Sequence, residues 1–203
     1  PLGWGCAEGR CQPDACAAAE ESHSSIGCDY WAVKTDSLPS IQNHAQACFA
    51  VALTNTWSTP VTISVEYDGK PLTDTSFVRV PRGQGANLTY EPYDATRGLP
   101  PNEVALLFLA HAPDAKTQCP VTPAVVGTTG VSGTGRAQAF HVRTTAPVAA
   151  YSLRPYGGGA AASTSASLLL PTSGWGREYV AINAYAASTL PAETLQLMRD
   201  AGL

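Results

Sequence analysis

The sequence predicts an all-β protein of antiparallel β-sandwich-like sheets, with a disulfide-linked N-terminal extension and a short C-terminal helix. Three observations support this fold class. Only 14% of the 203 residues are charged, whereas 18 glycines and 16 prolines favour short strands joined by turns. Segments of alternating or continuous apolar residues recur between turn signals, and the chain has 6 cysteines. Blades like those of a β-propeller are the alternative architecture.

The predicted strands follow one another from residue 27 to residue 185. In chain order they are GCDYWAVKT (27–35), ACFAVALTN (47–55), PVTISVEYDG (60–69), TSFVRV (75–80), EVALLFLAH (103–111), AFHVRTT (139–145), PVAAYSLRP (147–155), SASLLLP (165–171) and EYVAINAY (178–185). The second is apolar on both faces, as a central strand is. In the third, Asp68-Gly69 provides a turn, and TSFVRV is predicted to complete a hairpin with it. Periodicity alone would allow 103–111 to be a helix, but its length and the preceding Pro100-Pro101 favour a buried strand.

One helix is predicted, at the C-terminus, in LPAETLQLMRDAGL (190–203). Pro191 suits the first helical position, Arg199 lies near the last turn and Gly202 provides a stop signal. Residues 1–26 are predicted to form a cysteine-rich N-terminal extension, and residues 27–203 a β-rich domain. Continuation of that domain beyond Leu203 stays open.

The cysteines indicate the compartment. They are Cys6, Cys11, Cys16, Cys28, Cys48 and Cys119. The first three lie in a polar, glycine-containing segment that needs cross-links to fold, and disulfides persist in oxidising compartments. We expect two local bridges among the first four cysteines, which leaves Cys48 and Cys119 for each other. Zinc bound by those four cysteines and His23 is the rival interpretation, although their spacing is looser than that of paired zinc ligands.

Charge and hydropathy exclude several classes of partner. The formal net charge is −4 and no basic block occurs, which disfavours nucleic-acid binding. The longest apolar run, Val104 to Ala110, is far shorter than the roughly 18 residues that span a bilayer. With no signal peptide at Pro1, the cysteines favour a secreted or cell-surface protein whose leader has been removed.

No catalytic or cofactor motif is complete. The segment GVSGT (130–134) lacks the last glycine of a serine elbow, and GVSGTGR lacks both the lysine and the hydroxyl residue of a phosphate loop. His141 alternates with apolar neighbours, so it is predicted to point out of a sheet. Asn87-Leu88-Thr89 is a glycosylation sequon. We therefore expect no enzyme activity, no cofactor and no bound metal.

Exposed aromatic residues in loops are the best candidates for ligand contact. Aromatic rings in strands usually belong to the core, whereas loops carry function on β-sheet proteins. A backbone-lined site at the glycine corner is a further candidate, although these glycines also serve to turn the chain between two strands. The candidate ligand-binding residues are Trp57, Tyr93, Tyr156, Gly157, Gly158, Gly159 and Trp175.

Three segments resemble a known family. They are GCDYWAV (27–33), PVAAY (147–151) and LLLPTSGWGREYV (168–180), in that order along the chain. They resemble the N-terminal domain family of IgGFc-binding protein, in its branch of bacterial surface proteins of myxobacterial type. The resemblance covers residues 27 to 185.

The resemblance implies an extracellular recognition or adhesion module without catalytic residues. Its partner would be an unknown surface glycan or protein ligand, together with further domains of the same polypeptide. Immunoglobulin binding is not carried over, because a bacterial protein of this type has no evident reason to bind it. A structural spacer or assembly subunit of a larger surface protein is the first alternative, and a secreted hydrolase is the second.

Overall fold

The computed structural model describes residues 4–7, 10–35, 46–130, 136–157 and 164–177. Its N-terminal part is an antiparallel hairpin of β1 (Trp4–Ala7) and β2 (Arg10–Pro13), followed by helix α1 (Ala15–Ser22). The hairpin register makes Cys6 and Cys11 direct partners. The helix begins where the side chain of Asp14 accepts a hydrogen bond from the backbone N–H of Cys16 at 3.0 Å. The sequence analysis did not predict this helix.

The remaining strands form a single curled sheet. They are β3 (Gly27–Ala32), β4 (Phe49–Asn55), β5 (Ile63–Tyr67), β6 (Lys70–Pro71), β7 (Val78–Arg82), β8 (Thr89–Pro92), β9 (Val104–His111), β10 (Val125–Val126), β11 (Phe140–Arg154) and β12 (Ser165–Leu169). The order is β6-β5-β11-β4-β9-β7-β8, with β3 and β12 also paired to β11, and only the short β10 is parallel to its neighbour among the described strands.

Strand β11 holds the two parts of the sheet together. Its first part pairs with β3 and β5, and its second part pairs with β4 and β12. The register with β3 shifts between Arg143 and Val148, which is the irregularity expected where a strand bends. The change of partners curls the sheet so that its inner faces enclose one apolar core. The predicted all-β, antiparallel architecture is confirmed, and propeller blades are not needed to explain it.

The core is built from the side chains that point inward at alternate positions along the strands. Tyr30, Phe49, Leu53, Leu107 and Phe140 are all at most 1% exposed. Burial of such side chains contributes about 1.5–3 kcal/mol each. On the outer side of β4 and β9 lies a second, smaller cluster, formed by Cys48, Ala50, Leu106, Phe108 and Cys119.

Two disulfides are present in the described residues. Cys16–Cys28 joins α1 to β3, and Cys48–Cys119 joins the start of β4 to the segment that follows β9, as the sequence analysis expected. Because Cys16 and Cys28 are bonded to each other, they are not thiolate ligands, and the zinc interpretation is wrong for this pair.

Two strand predictions need correction. Asp68 and Gly69 do form a turn, with φ values of 52° and 68°, but the hairpin partner of β5 is the short β6. TSFVRV instead contributes β7, which pairs with β8 and β9. The predicted strands 139–145 and 147–155 are one continuous strand, β11. The predicted strand 178–185 and the terminal helix lie outside the described residues.

Candidate functional site

The predicted loop tryptophans are exposed but lie in separate places. Trp57 is 40% exposed and follows β4, where its backbone N–H donates to Oδ1 of the buried Asn55 at 2.8 Å. Trp175 is 50% exposed, and its Nε1–H donates to the carbonyl of Leu170 at 3.2 Å. Neither indole stacks on another ring among the described side chains. The structure therefore does not bring these two candidates together.

Tyr93 is not a surface residue, contrary to the prediction. It is 6% exposed, and its hydroxyl accepts a hydrogen bond from the backbone N–H of Ile63 at 3.2 Å. Burial raises the pKa of the phenol. The ring follows β8 directly and turns into the core, so Tyr93 is unavailable to a ligand.

Tyr156 and Gly157 lie where the chain leaves β11, as the interpretation of the glycines as a corner requires. The Tyr156 ring packs edge-on against Phe108 at 5.0 Å, and its hydroxyl is 3.0 Å from the hydroxyl of Tyr90. Burial is the main cause that raises the pKa of Tyr156, and the hydrogen bond with Tyr90 raises it further. Gly157 has a φ of 96°, a left-handed conformation that favours glycine. Gly158 and Gly159 lie outside the described residues.

A shallow cleft adjoins this corner. Its volume is about 450 Å³, and it is lined by Leu153, Pro155, Tyr156, Gly157, Thr164, Ser165 and Ala166. The described residues that line it carry hydroxyl and aromatic groups and no charged side chain.

A denser group of functional side chains lies on the outer face of the first part of the sheet. We call it the β3–β11–β5 face, and it consists of Asp29, Trp31, Glu66, His141 and Arg143. The strand register explains the grouping: His141 is the partner of Trp31 on one side and of Glu66 on the other, and Arg143 is the partner of Asp29. Alternation sends these side chains outward while their neighbours Tyr30, Val65 and Val142 enter the core.

His141 is the centre of the face. Its imidazole lies parallel to the indole of Trp31, with ring centroids 4.1 Å apart and planes 7° apart. Nε2 is 2.8 Å from Oδ2 of Asp29, and Nδ1 is 3.6 Å from Oε2 of Glu66. A carboxylate accepts, so the hydrogen in the shorter contact belongs to Nε2. Both ring nitrogens thus face carboxylates on opposite sides of the ring.

Charged groups complete the face. The guanidinium of Arg143 donates to Glu66, and the Arg143 side chain is 49% exposed. The carboxylates of Asp29 and Glu66 are about one third exposed, and Trp31 is 41% exposed. The face therefore presents a stacked aromatic ring beside an exposed hydrogen-bond donor and partly exposed acceptors.

The two ring nitrogens of His141 differ in their contacts. Nε2 lies within hydrogen-bond distance of Asp29, whereas Nδ1, at 3.6 Å from Glu66, is too far for a hydrogen bond. Within the described residues no hydrogen bond joins a serine hydroxyl to a histidine ring; His23 contacts the backbone carbonyl of Ser173, and the buried His111 accepts from the N–H of Cys119. His44 lies outside them. The described ranges also contain no group of side chains suited to holding a metal ion.

Sequence reasoning found only part of this face. It directed His141 outward and counted Trp31 among the aromatic residues, but it did not select Asp29, Glu66 or Arg143. The sequence signal was the alternation in CDYW, SVEY and FHVR, where every second residue points away from the core. What joins these three segments is the register, which single-strand patterns do not contain.

The chain contains no bilayer-spanning helix in the part that the structure describes. Comparisons with protein-family models, with curated proteins and with solved structures gave no match. The resemblance to the N-terminal domain of IgGFc-binding protein therefore stays a prediction from sequence, and the face described above carries the functional argument.

Proposed function

We propose that this protein is a non-catalytic recognition or adhesion module that works outside the cytoplasm, at a cell surface or as a secreted domain. The single observation that carries the proposal is the β3–β11–β5 face. It combines an exposed indole, stacked on His141, with partly exposed carboxylates and an exposed guanidinium.

Fixed side chains favour recognition, because a binding residue that is already ordered loses less conformational entropy when its ligand arrives. The Trp31 ring is held by the imidazole, and the imidazole is held by Asp29. Sheets provide rigid positions for such groups. The disulfides support the extracellular part of the proposal, because disulfides persist in oxidising compartments.

The experiment measures retention and turnover together. Fluorescently labelled protein is incubated with purified mucin, peptidoglycan and neutral polysaccharides, and both the bound fraction and any soluble product are measured. We expect saturable binding to at least one polymer without product release. Arg143→Glu should weaken that binding, whereas Arg136→Glu, an identical charge change at an exposed residue outside the face, should not. Release of product in proportion to enzyme would support the hydrolase, and no binding to any polymer would contradict the proposal.

A structural spacer or assembly subunit is the second candidate, and one observation favours it. Tyr151 on β11 and Leu168 on β12 are direct register partners, and they are 42% and 44% exposed. Leu170, two residues after Leu168, is 48% exposed. Exposed apolar residues on an outer strand suit packing against a further domain or a second copy. Sedimentation equilibrium over a range of concentrations tests self-association, with Leu168→Asp compared with Ser167→Asp, which lies beside it on the other face of the strand.

A further inference from the structure

We propose that the β3–β11–β5 face binds a neutral saccharide, with a pyranose ring lying on the free side of the Trp31 indole. This inference rests on the proposed recognition function and names the chemical class of its ligand.

The aromatic ring is the first argument. One side of the Trp31 indole is covered by the parallel imidazole of His141, and the residue is nevertheless 41% exposed. A ligand that stacks on this indole therefore approaches from the ring face opposite His141. A flat apolar surface of this kind complements the C–H face of a pyranose, since an aromatic face carries partial negative charge and a C–H bond carries partial positive charge at hydrogen.

The polar groups beside the ring are the second argument. A sugar hydroxyl both donates and accepts, so its ideal surroundings contain acceptors and donors in alternation. Asp29 and Glu66 supply acceptors, and the half-exposed Arg143 supplies donors between them. Along a strand, Asp29 lies about 7 Å from Trp31, and across two strand spacings Glu66 lies about 10 Å away. These separations correspond to one or two linked pyranose rings.

The charge and shape of the face disfavour two other ligand classes, polyanions and enclosed small molecules. The face carries two carboxylates and one guanidinium, so it does not favour a phosphate or another polyanion. It is an open sheet surface, and the clefts of about 450 and 290 Å³ in the described residues are lined by other residues. A flat, polar and aromatic surface suits an extended chain of sugars better than a small molecule that needs enclosure.

The test uses isothermal titration calorimetry with neutral hexasaccharides of β-linked glucose, β-linked N-acetylglucosamine and α-linked glucose. The wild-type protein should bind at least one of them, and Trp31→Ala should weaken that binding about tenfold or more, because the stacking surface is lost. Trp31→Phe keeps a ring and should lose less affinity. Asp29→Asn should weaken binding several-fold by removing the charged acceptor.

Two exposed tryptophans outside the face provide matched controls. Trp57→Ala and Trp175→Ala remove equally exposed indoles that have no stacked neighbour, and each should leave the affinity within about twofold of wild type. Circular dichroism and thermal melting establish that Trp31→Ala is folded; if it is not, Trp31→Phe and Asp29→Asn carry the test.

The outcomes separate this inference from the recognition function. Absence of binding tighter than about 10 mM for every hexasaccharide overturns the saccharide inference. If the protein nevertheless binds mucin or peptidoglycan through Trp31, recognition stands and the ligand class is wrong. If saccharides bind but Trp57→Ala or Trp175→Ala abolishes binding, the site is wrong. If no polymer and no hexasaccharide binds, both proposals fail.

Discussion

Gly27 packs against Pro171, although 144 positions of sequence separate them. A Cβ atom added at Gly27 would lie only 2.6 Å from Cβ of Pro171, which shows how closely the two residues approach. Gly27 begins β3, and Pro171 follows β12 directly. The contact therefore links two of the segments that carry the family resemblance. It gives a physical reason for a glycine at position 27.

Gly27→Ala should destabilise the protein by about 1–3 kcal/mol, because the new methyl group overpacks against a rigid proline ring. Gly127→Ala is the matched control, since nothing lies within 4 Å of its added Cβ. Urea denaturation followed by circular dichroism measures both free energies of unfolding. Equal stability of the two variants would contradict the close contact.

The two disulfides should contribute unequally to the free energy of unfolding. In the chain-entropy model, removing Cys48–Cys119, with a sequence separation of 71, should cost about 4 kcal/mol. Removing Cys16–Cys28, with a separation of 12, should cost about 3 kcal/mol. Paired Cys→Ala variants and urea denaturation test this order. A larger loss from the shorter loop would count against it.

Cys6 and Cys11 should form a third disulfide. They are register partners in the β1–β2 hairpin, and Cys16 and Cys28 are already joined. Peptide mapping under non-reducing conditions should yield a fragment in which Cys6 is linked to Cys11. Alkylation of either thiol in the native, unreduced protein would refute this pairing.

His111 should make the protein less stable in mild acid. Burial is the main cause that lowers the pKa of His111 below its ordinary value, and the positive charge of Lys34 lowers it further. Its Nδ1 accepts from the N–H of Cys119 at 2.9 Å, which requires the neutral ring. The ordinary pKa of histidine, about 6.5, applies to the unfolded chain. Between this value and the lower pKa of the folded protein, the unfolded chain binds more protons than the folded one. The stabilisation is therefore fully present above about pH 6.5 and is lost as the pH falls from there through the folded pKa.

His111→Asn places an amide oxygen near the position of Nδ1 and removes the titration. Urea midpoints from pH 8 to pH 5 should fall more steeply for the wild type than for His111→Asn. Parallel curves for the two proteins would mean that His111 does not carry this pH dependence.

The alternation of apolar and polar residues was enough to predict most strands, but not how they pair. Pro147 divided one strand into two predicted ones, because proline usually ends a strand. In the structure it lies where the β3 register shifts, and a missing N–H is tolerated there. Helix α1 escaped prediction because its alanine-rich sequence has no apolar stripe, and its strongest signal is a single capping residue, Asp14.

The candidate site was not predicted from the sequence for a related reason. Asp29, Glu66 and His141 lie on three strands whose order along the sheet, β3-β11-β5, follows from long-range pairing. The loop aromatics chosen from sequence illustrate the same gap. Tyr93 follows a strand and enters the core, whereas Trp31, which lies within a strand, is exposed at its outer face.

The most direct measurement of the central claim is hydroxyl-radical footprinting of the protein with and without the surface polymer or saccharide that it binds. If the β3–β11–β5 face is the recognition surface, ligand should reduce oxidation of Trp31 and leave Trp57 and Trp175 unchanged, since all three are similarly exposed in the free protein. Unchanged oxidation of Trp31, with protection of Trp57, Trp175 or Tyr156 instead, would contradict the account.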